Sequence, residues 1–401
     1  MRLRYAVLVS LVVVTSARVD ELSARAEDPK VKTGLDVLAA DDFASLKGKK
    51  VGLVVNHTAR TAEGDAIFDL LRKRKDLELV TIFTPEHGLE GKKDEKITSS
   101  SYEGIPVVSL YGDRLKPTKE EIEKLDVLVY DIQDVGVRYY TYLATLAMTL
   151  EVARDAKVKV IVLDRPDPAG GQVIEGPIAD ETLRRKFTSW SAVPTRYALT
   201  IGEYAKWVNE VEGVKCDLEV VKCEGWKRGE QFDETGLPWR NPSPNLRSSE
   251  AALLYTGLGF LEQSNLSVGR GTDTPFLVYG APFVDGSAWA KALEARKLDG
   301  VKFEATEFTP LSSTQAKKKC KGVRVTVTDR KKIRTVTVAL HMLDTLRQQT
   351  KELSFDRVGG MLGERDAPKR LAEQPVEQLL ATFAKGRADY EKKRMSVLLY
   401  R

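Results

Sequence analysis

The chain has 401 residues, 42% of them hydrophobic and 30% charged, and its 63 basic and 58 acidic side chains leave a formal charge of only +5. That is the balance of a globular protein long enough for two domains. The lysine-rich runs at 47–50, 72–75 and 317–321 lack interleaved aromatics, so they read as solvated surface and exclude a nucleic-acid partner.

The basic "MRLR" (1–4) is followed by ten apolar residues, "YAVLVSLVVV" (5–14). That run is too short to span a bilayer and has the pattern of a secretory signal. Ala24-Arg25-Ala26 fits a cleavage site, with Thr15-Ser16-Ala17 as the alternative. Residues 1–26 are therefore expected to be a signal peptide, and the mature protein to be exported to the periplasm or the medium. No later run reaches 18 apolar residues, so no membrane span is expected in the mature chain.

Short apolar runs then alternate with helical patterns. Strands are expected at 49–56, 77–83, 106–112, 126–132 and 159–166, and helices at 63–74, 117–125 and 140–156. Pro117 and Thr118 mark a helix start. This alternation implies βαβ units, hence an α/β fold with a mostly parallel sheet covered by helices on both faces. The proline-rich "DETGLPWRNPSPN" (233–245) reads as a long ordered loop, 249–262 as a helix, and 267–282 as a loop leading into a strand. Beyond it, 289–310 suggests helix then strand, 321–329 a half-buried strand, and 335–349 a strand or turn entering a helix. These patterns place a main domain at 27–285 and a smaller C-terminal α/β lobe at 286–401. The odd cysteine count allows at most one disulfide, Cys216–Cys223, with buried free thiols as the default.

In parallel α/β sheets, ligands bind beyond the carboxyl ends of the strands. The first strand ends in Asn56-His57-Thr58, the second in "TPEHG" with Glu86 and His87, the fourth in "DIQDVGVRYYTY" (131–142), and the fifth in "LDRPDPAGG" (163–171) and "VIEGP" (173–177). Each of these ends is polar, ionisable or glycine-rich. No nucleotide fingerprint, GxSxG or HExxH motif occurs, and there are only three histidines, so no cofactor and no metal are expected. A serine–histidine hydrolase stays open through His57, His87 and His341, although no serine sits in a recognisable elbow. The rim also holds Glu86, Asp131, Asp134, Asp164, Asp167 and Glu175. Glycosidic cleavage commonly uses two carboxyl groups, but for each of these acids alone a role as a cap or an ion-pair partner is the default. Arg138, Arg165 and Arg270 suggest an anionic ligand, and Tyr139, Tyr140, Tyr142, Trp226, Phe232 and Trp239 are candidates to stack on sugar faces.

The blocks "TPEHGLEG", "DIQDVGVRYYTY", "LDRPDPAGGQVIEGP", "GLPWRNPSPN" and "EQSNLSVGRGTDTPF" occur in that order. Together they resemble the exo-acting β-N-acetylmuramidases of peptidoglycan recycling, over roughly residues 45–350. The resemblance implies a Rossmann-like main domain, a smaller C-terminal lobe and no nucleotide. It implies a hydrolase that removes N-acetylmuramic acid from the non-reducing end of peptidoglycan-derived muramyl saccharides. It also points to Glu86 and Glu175 as the catalytic pair. The lactyl carboxylate of muramic acid gives the rim arginines a purpose. The residues expected to bind the sugar are then His87, Asn56, Asp131, Gln133, Arg138, Tyr142, Asp164, Arg165, Asn245, Arg270 and Thr272. A wall-peptide esterase or a noncatalytic muramyl-binding protein are the alternatives.

Overall fold

The computed structural model describes residues 30–91 and 100–401; the expected signal peptide lies outside them. Seven strands form the central sheet: β1 (Lys50–Val55), β2 (Glu78–Thr84), β3 (Ser100–Tyr102), β4 (Ile105–Ser109), β5 (Val127–Asp131), β6 (Lys159–Leu163) and, after the hairpin of β7 (Glu175–Ile178) and β8 (Pro194–Arg196), β9 (Leu218–Val221). Their order is β3-β4-β2-β1-β5-β6-β9. All neighbours pair in parallel except β3 with β4. The chain thus runs outward from β1 to one edge and then restarts at β5 on the other side. That reversal is the switch point at which such sheets open a crevice.

Burial alternates along the central strands. Leu53, Val55, Val127, Val129, Ile161 and Leu163 enter the core on one face, with Leu35, Leu38 and Phe68. Val54, Leu128, Tyr130, Val160 and Val162 enter the larger core on the other, with Leu143, Leu146 and Leu150 of the helix Tyr142–Ala156. A strand buried on both faces cannot show a polar period of two, which is why these strands read as continuous apolar runs. The expected helix start at Thr118 is present: its side chain accepts from the Glu121 backbone, and the Glu121 side chain bonds back, closing a capping box.

A second sheet is antiparallel, in the order β10 (Val278–Ala281), β12 (Cys320–Val327), β11 (Val301–Phe308). The segment 335–349 is helical from its first turn, Thr335–Arg347, and packs on the helix Ser249–Leu258. The contact is close. A Cβ on Gly257 would lie 2.1 Å from the Thr335 carbonyl carbon, and the Thr256 and Thr335 hydroxyls bond at 2.9 Å. The helix Val376–Arg394 packs on the β7–β8 hairpin: the Tyr390 hydroxyl donates to the Tyr197 carbonyl (2.6 Å) and Arg394 donates to the carbonyls of Ala198 and Gly171. The strands β3, β7, β8 and β9, and the helices beyond residue 357, have no expectation in the sequence reading. β7 contains Gly176 and Pro177, β8 is three residues long and begins at Pro194, and β9 is a half-buried edge strand, so these three show no strong period. All three cysteines are free and buried, and burial pushes the Cys216 thiol up to about 12.

Candidate active site

β2 ends at Thr84 between β1 and β4, and the chain turns at once. The Gly88 amide donates to the Pro85 carbonyl (3.0 Å), closing a turn with Glu86 and His87 at its centre. His87 has φ 71° and Gly88 φ 66°. A positive φ at the second central residue is the mark of a type II turn, usually filled by Gly or Asn. A histidine held there stores strain of the kind that collects at functional sites. The turn is pinned from across the sheet: the Thr141 hydroxyl donates to Glu86 Oε2 (2.7 Å) and the Tyr142 hydroxyl reaches the Glu86 carbonyl (3.4 Å). Thr141 is the N-cap of the helix that follows β5, so Glu86 is fixed by the end of one strand and the entry of another strand's helix.

Glu86 and His87 open onto a cavity of about 340 Å³. Tyr139, Tyr140, Thr141 and Asn245 continue its wall, together with Tyr255, Glu262, Arg270, Phe276 and Met361. Its size lies within the ~300–1,000 Å³ of small-ligand sites. The aromatic wall is built edge to face, with Tyr255 at 5.4 Å from Tyr139 and 4.8 Å from Phe276, ring centre to ring centre. Glu262 sits in the single turn Gly259–Gln263 that ends the helix Ser249–Leu258. Arg270 lies between Gly269 (φ 78°) and Gly271 (φ 80°), and its Nη1 meets Glu262 Oε1 at 2.8 Å. The Thr272 hydroxyl closes this loop on the Gly269 carbonyl (2.7 Å), so Thr272 shapes the loop that presents Arg270 without lining the cavity.

Of the residues expected at the sugar, the structure brings Glu86, His87, Asn245 and Arg270 to one cavity. Tyr142 stands behind it, buried, with its hydroxyl on the Pro242 carbonyl (2.9 Å). Others are internal instead. Asp131 is fully buried at the end of β5 and holds Arg165 by a two-pronged ion pair (2.5 and 2.8 Å). Arg138 is buried and donates to the carbonyls of Pro177, Val193, Met361 and Leu362; burial depresses it to about 10. Asp164 accepts from the Tyr400 and Thr200 hydroxyls and the Gly202 amide, closing the start of the helix Ile201–Lys206, and burial raises it to about 7. None of these three is among the residues that line the Glu86 cavity. Asn56 is also buried, its Oδ1 accepting from the Thr58 amide (2.9 Å) and hydroxyl (2.6 Å).

Gln133 and Arg165 line a separate crevice at the switch point, together with Arg60, Phe232, Trp239 and Arg240. The loop that runs from Leu237 to Arg240 fills it, leaving about 20 Å³, little more than a water needs. His57 anchors this loop by its Nε2 on the Asn241 carbonyl (2.6 Å), and burial lowers its pKa. Trp226 packs on Tyr400 in a small core of its own.

Glu175 is not among the residues that line the Glu86 cavity. It is buried on β7 against the first turn of the helix Thr335–Arg347, where Oε1 accepts from the Thr337 amide and hydroxyl (both 3.3 Å). Its Oε2 faces Arg196 Nη1 at 3.5 Å. Glu262, Thr141 and Tyr255 are among the cavity residues that the sequence did not single out. Glu262 looked like the last residue of an apolar helix, and the one signal was its position just ahead of the glycine-flanked Arg270.

A strained turn at a parallel strand's carboxyl end, presenting a carboxylate into a tyrosine-walled cavity with a second acid in its wall, suits a carbohydrate-cleaving hydrolase. The comparisons with known proteins make this specific. Residues 51–250 match the N-terminal domain, and residues 253–400 the C-terminal domain, of exo-beta-N-acetylmuramidase NamZ, so the chain belongs to the NamZ family. It is 36% identical over 400 residues to the peptidoglycan beta-N-acetylmuramidase NamZ of Bacillus subtilis, covering 97% of this chain and 96% of that one. Two crystal structures of DUF1343 family proteins from Bacteroides fragilis share its fold. One has a TM-score of 0.87 at 31% identity, covering 93% of this chain and 99% of the other; the second has 0.74 at 27%, covering 92% and 99%.

Proposed function

We infer that this chain is a glycoside hydrolase that releases terminal, non-reducing β-linked N-acetylmuramic acid from peptidoglycan fragments. Membership of the NamZ family along both halves of the chain supports the reaction class. The observation that carries the site assignment is Glu86, held by Thr141 and exposed to a cavity of about 340 Å³. In this reading Glu86 is the general acid: its proton goes to the glycosidic oxygen as the C1–O bond breaks. Tyr139, Tyr140 and Tyr255 offer rings to the sugar faces, and Asn245 a side-chain amide. Arg270 is the guanidinium that matches the lactyl carboxylate; its five N–H donors allow it to serve Glu262 as well. An exported enzyme would meet its substrate in the cell wall, which agrees with the signal-like pattern of residues 1–26.

The test is turnover of a chromogenic N-acetylmuramic acid glycoside, followed by product analysis on wall-derived disaccharides. Glu86→Gln is expected to lose on the order of 10²–10⁴-fold in kcat while still binding the sugar. Full activity in a folded Glu86→Gln protein would sink the assignment.

A further inference from the structure

We propose that Glu262 is the catalytic partner of Glu86: an ionised carboxylate that balances the positive charge developing on the sugar as the C1–O bond breaks. The proposal rests on the muramidase reading and names a residue for it.

Three observations converge. Glu262 and Glu86 line the same cavity although 176 positions separate them in the chain. Glu262 is paired with Arg270 at 2.8 Å, and the two side chains keep 19% and 32% of their surface exposed, so the pair is anchored without being sealed off. The two acids also act on a common group. The Tyr255 hydroxyl is pushed well above its ordinary value by burial, then by the charge of Glu262, with Tyr139 and Glu86 contributing further.

The local chain is built to hold Glu262 there. Gly259 begins its turn because a Cβ at that position would lie 2.6 Å from the Tyr255 ring and 2.7 Å from the Tyr139 hydroxyl. Tyr139 in turn donates to the Tyr255 carbonyl, which locks the end of the helix to the wall of the cavity. On the far side, the loop that carries Arg270 is fixed by Thr272 and by the Leu311 amide on the Gly271 carbonyl (2.9 Å).

Glycosidic cleavage passes through a transition state with positive charge shared by the anomeric carbon and the ring oxygen. A fixed negative group in a partly dry cleft is the strongest means of stabilising it. Glu262 has the position and the counter-cation for this. Glu175 is spent on the backbone of the helix Thr335–Arg347 and on buried Arg196. No covalent step is assigned to Glu262. The leaving oxygen takes the electron pair of the C1–O bond and the proton of Glu86; water then bonds to the anomeric carbon and gives its proton to the Glu86 carboxylate, which restores the acid.

The experiment compares wild type, Glu86→Gln, Glu262→Gln and Glu175→Gln on the chromogenic glycoside, with thermal unfolding of each and direct binding of free N-acetylmuramic acid. Glu262→Gln is expected to lower kcat on the order of 10²–10³-fold. Its affinity for the free sugar should stay within a few-fold of wild type, a split that a merely structural loss would not produce. Glu175→Gln is expected to lower the unfolding midpoint. Should Glu262→Gln fail to fold, Glu262→Asp keeps the charge but retracts it, and a kcat loss of at least about tenfold is expected. Wild-type kcat in a folded Glu262 variant overturns the assignment and leaves the muramidase reading intact. A wild-type enzyme that leaves the glycoside untouched overturns both.

Discussion

Thr141→Val isolates the contact that aims Glu86. The two side chains are nearly equal in shape, and the substitution removes only the hydroxyl that donates to Glu86 Oε2 at 2.7 Å. Glu86 acts as a neutral acid, and a hydrogen bond between neutral groups contributes roughly 0.5–1.5 kcal/mol. The N-cap of the helix Tyr142–Ala156 uses no side-chain bond from Thr141, so helix stability does not depend on that hydroxyl. The cost therefore falls on the placement of the carboxylate. If Glu86 must be in place at the transition state, the loss converts to about a 2- to 10-fold drop in kcat/KM. The unfolding midpoint should move by no more than about 2 °C. Initial rates on the glycoside and a thermal melt of the same preparation measure both. A Val variant within twofold of wild type would show that the hydroxyl does not position the catalytic group.

Two further outcomes concern stability. Burial raises Asp164 to about 7, so between about pH 4 and 7 the folded state keeps a proton that the unfolded state has released. The stability linked to this proton is complete below pH 4 and is lost as the pH rises through 7. The stability of wild type relative to Asp164→Asn should accordingly fall across that window in urea titrations, and a constant difference would refute the sign. His87 occupies φ 71°, which Asn accepts and a β-branched residue does not. His87→Val should unfold roughly 1–2 kcal/mol more easily than His87→Asn, and equal midpoints would mean that the turn relaxes at no cost.

The main sheet was legible because strands buried on both faces leave unbroken apolar runs, and β1, β2, β5 and β6 fall where those runs lie. The rim was legible for the same reason: the polar residues that end each run stand at the carboxyl edge of the sheet. Which of them meet a ligand was not. Asp131, Arg138 and Asp164 have the chemistry of site residues, yet the fold spends them on an ion pair, on four carbonyls and on a helix start.

Sequence alone determined the α/β class, the parallel strands, the turn that bears Glu86 and, through its ordered blocks, the family. Those features are local, or are written in contiguous residues. The cavity is not local. Glu86 and Glu262 are far apart in the chain, and only the packing of the helix Ser249–Leu258 and the Arg270 loop brings them to one cavity. The division of one rim of acids into working and structural members rests on burial and partner choice, which exist only once distant segments have packed.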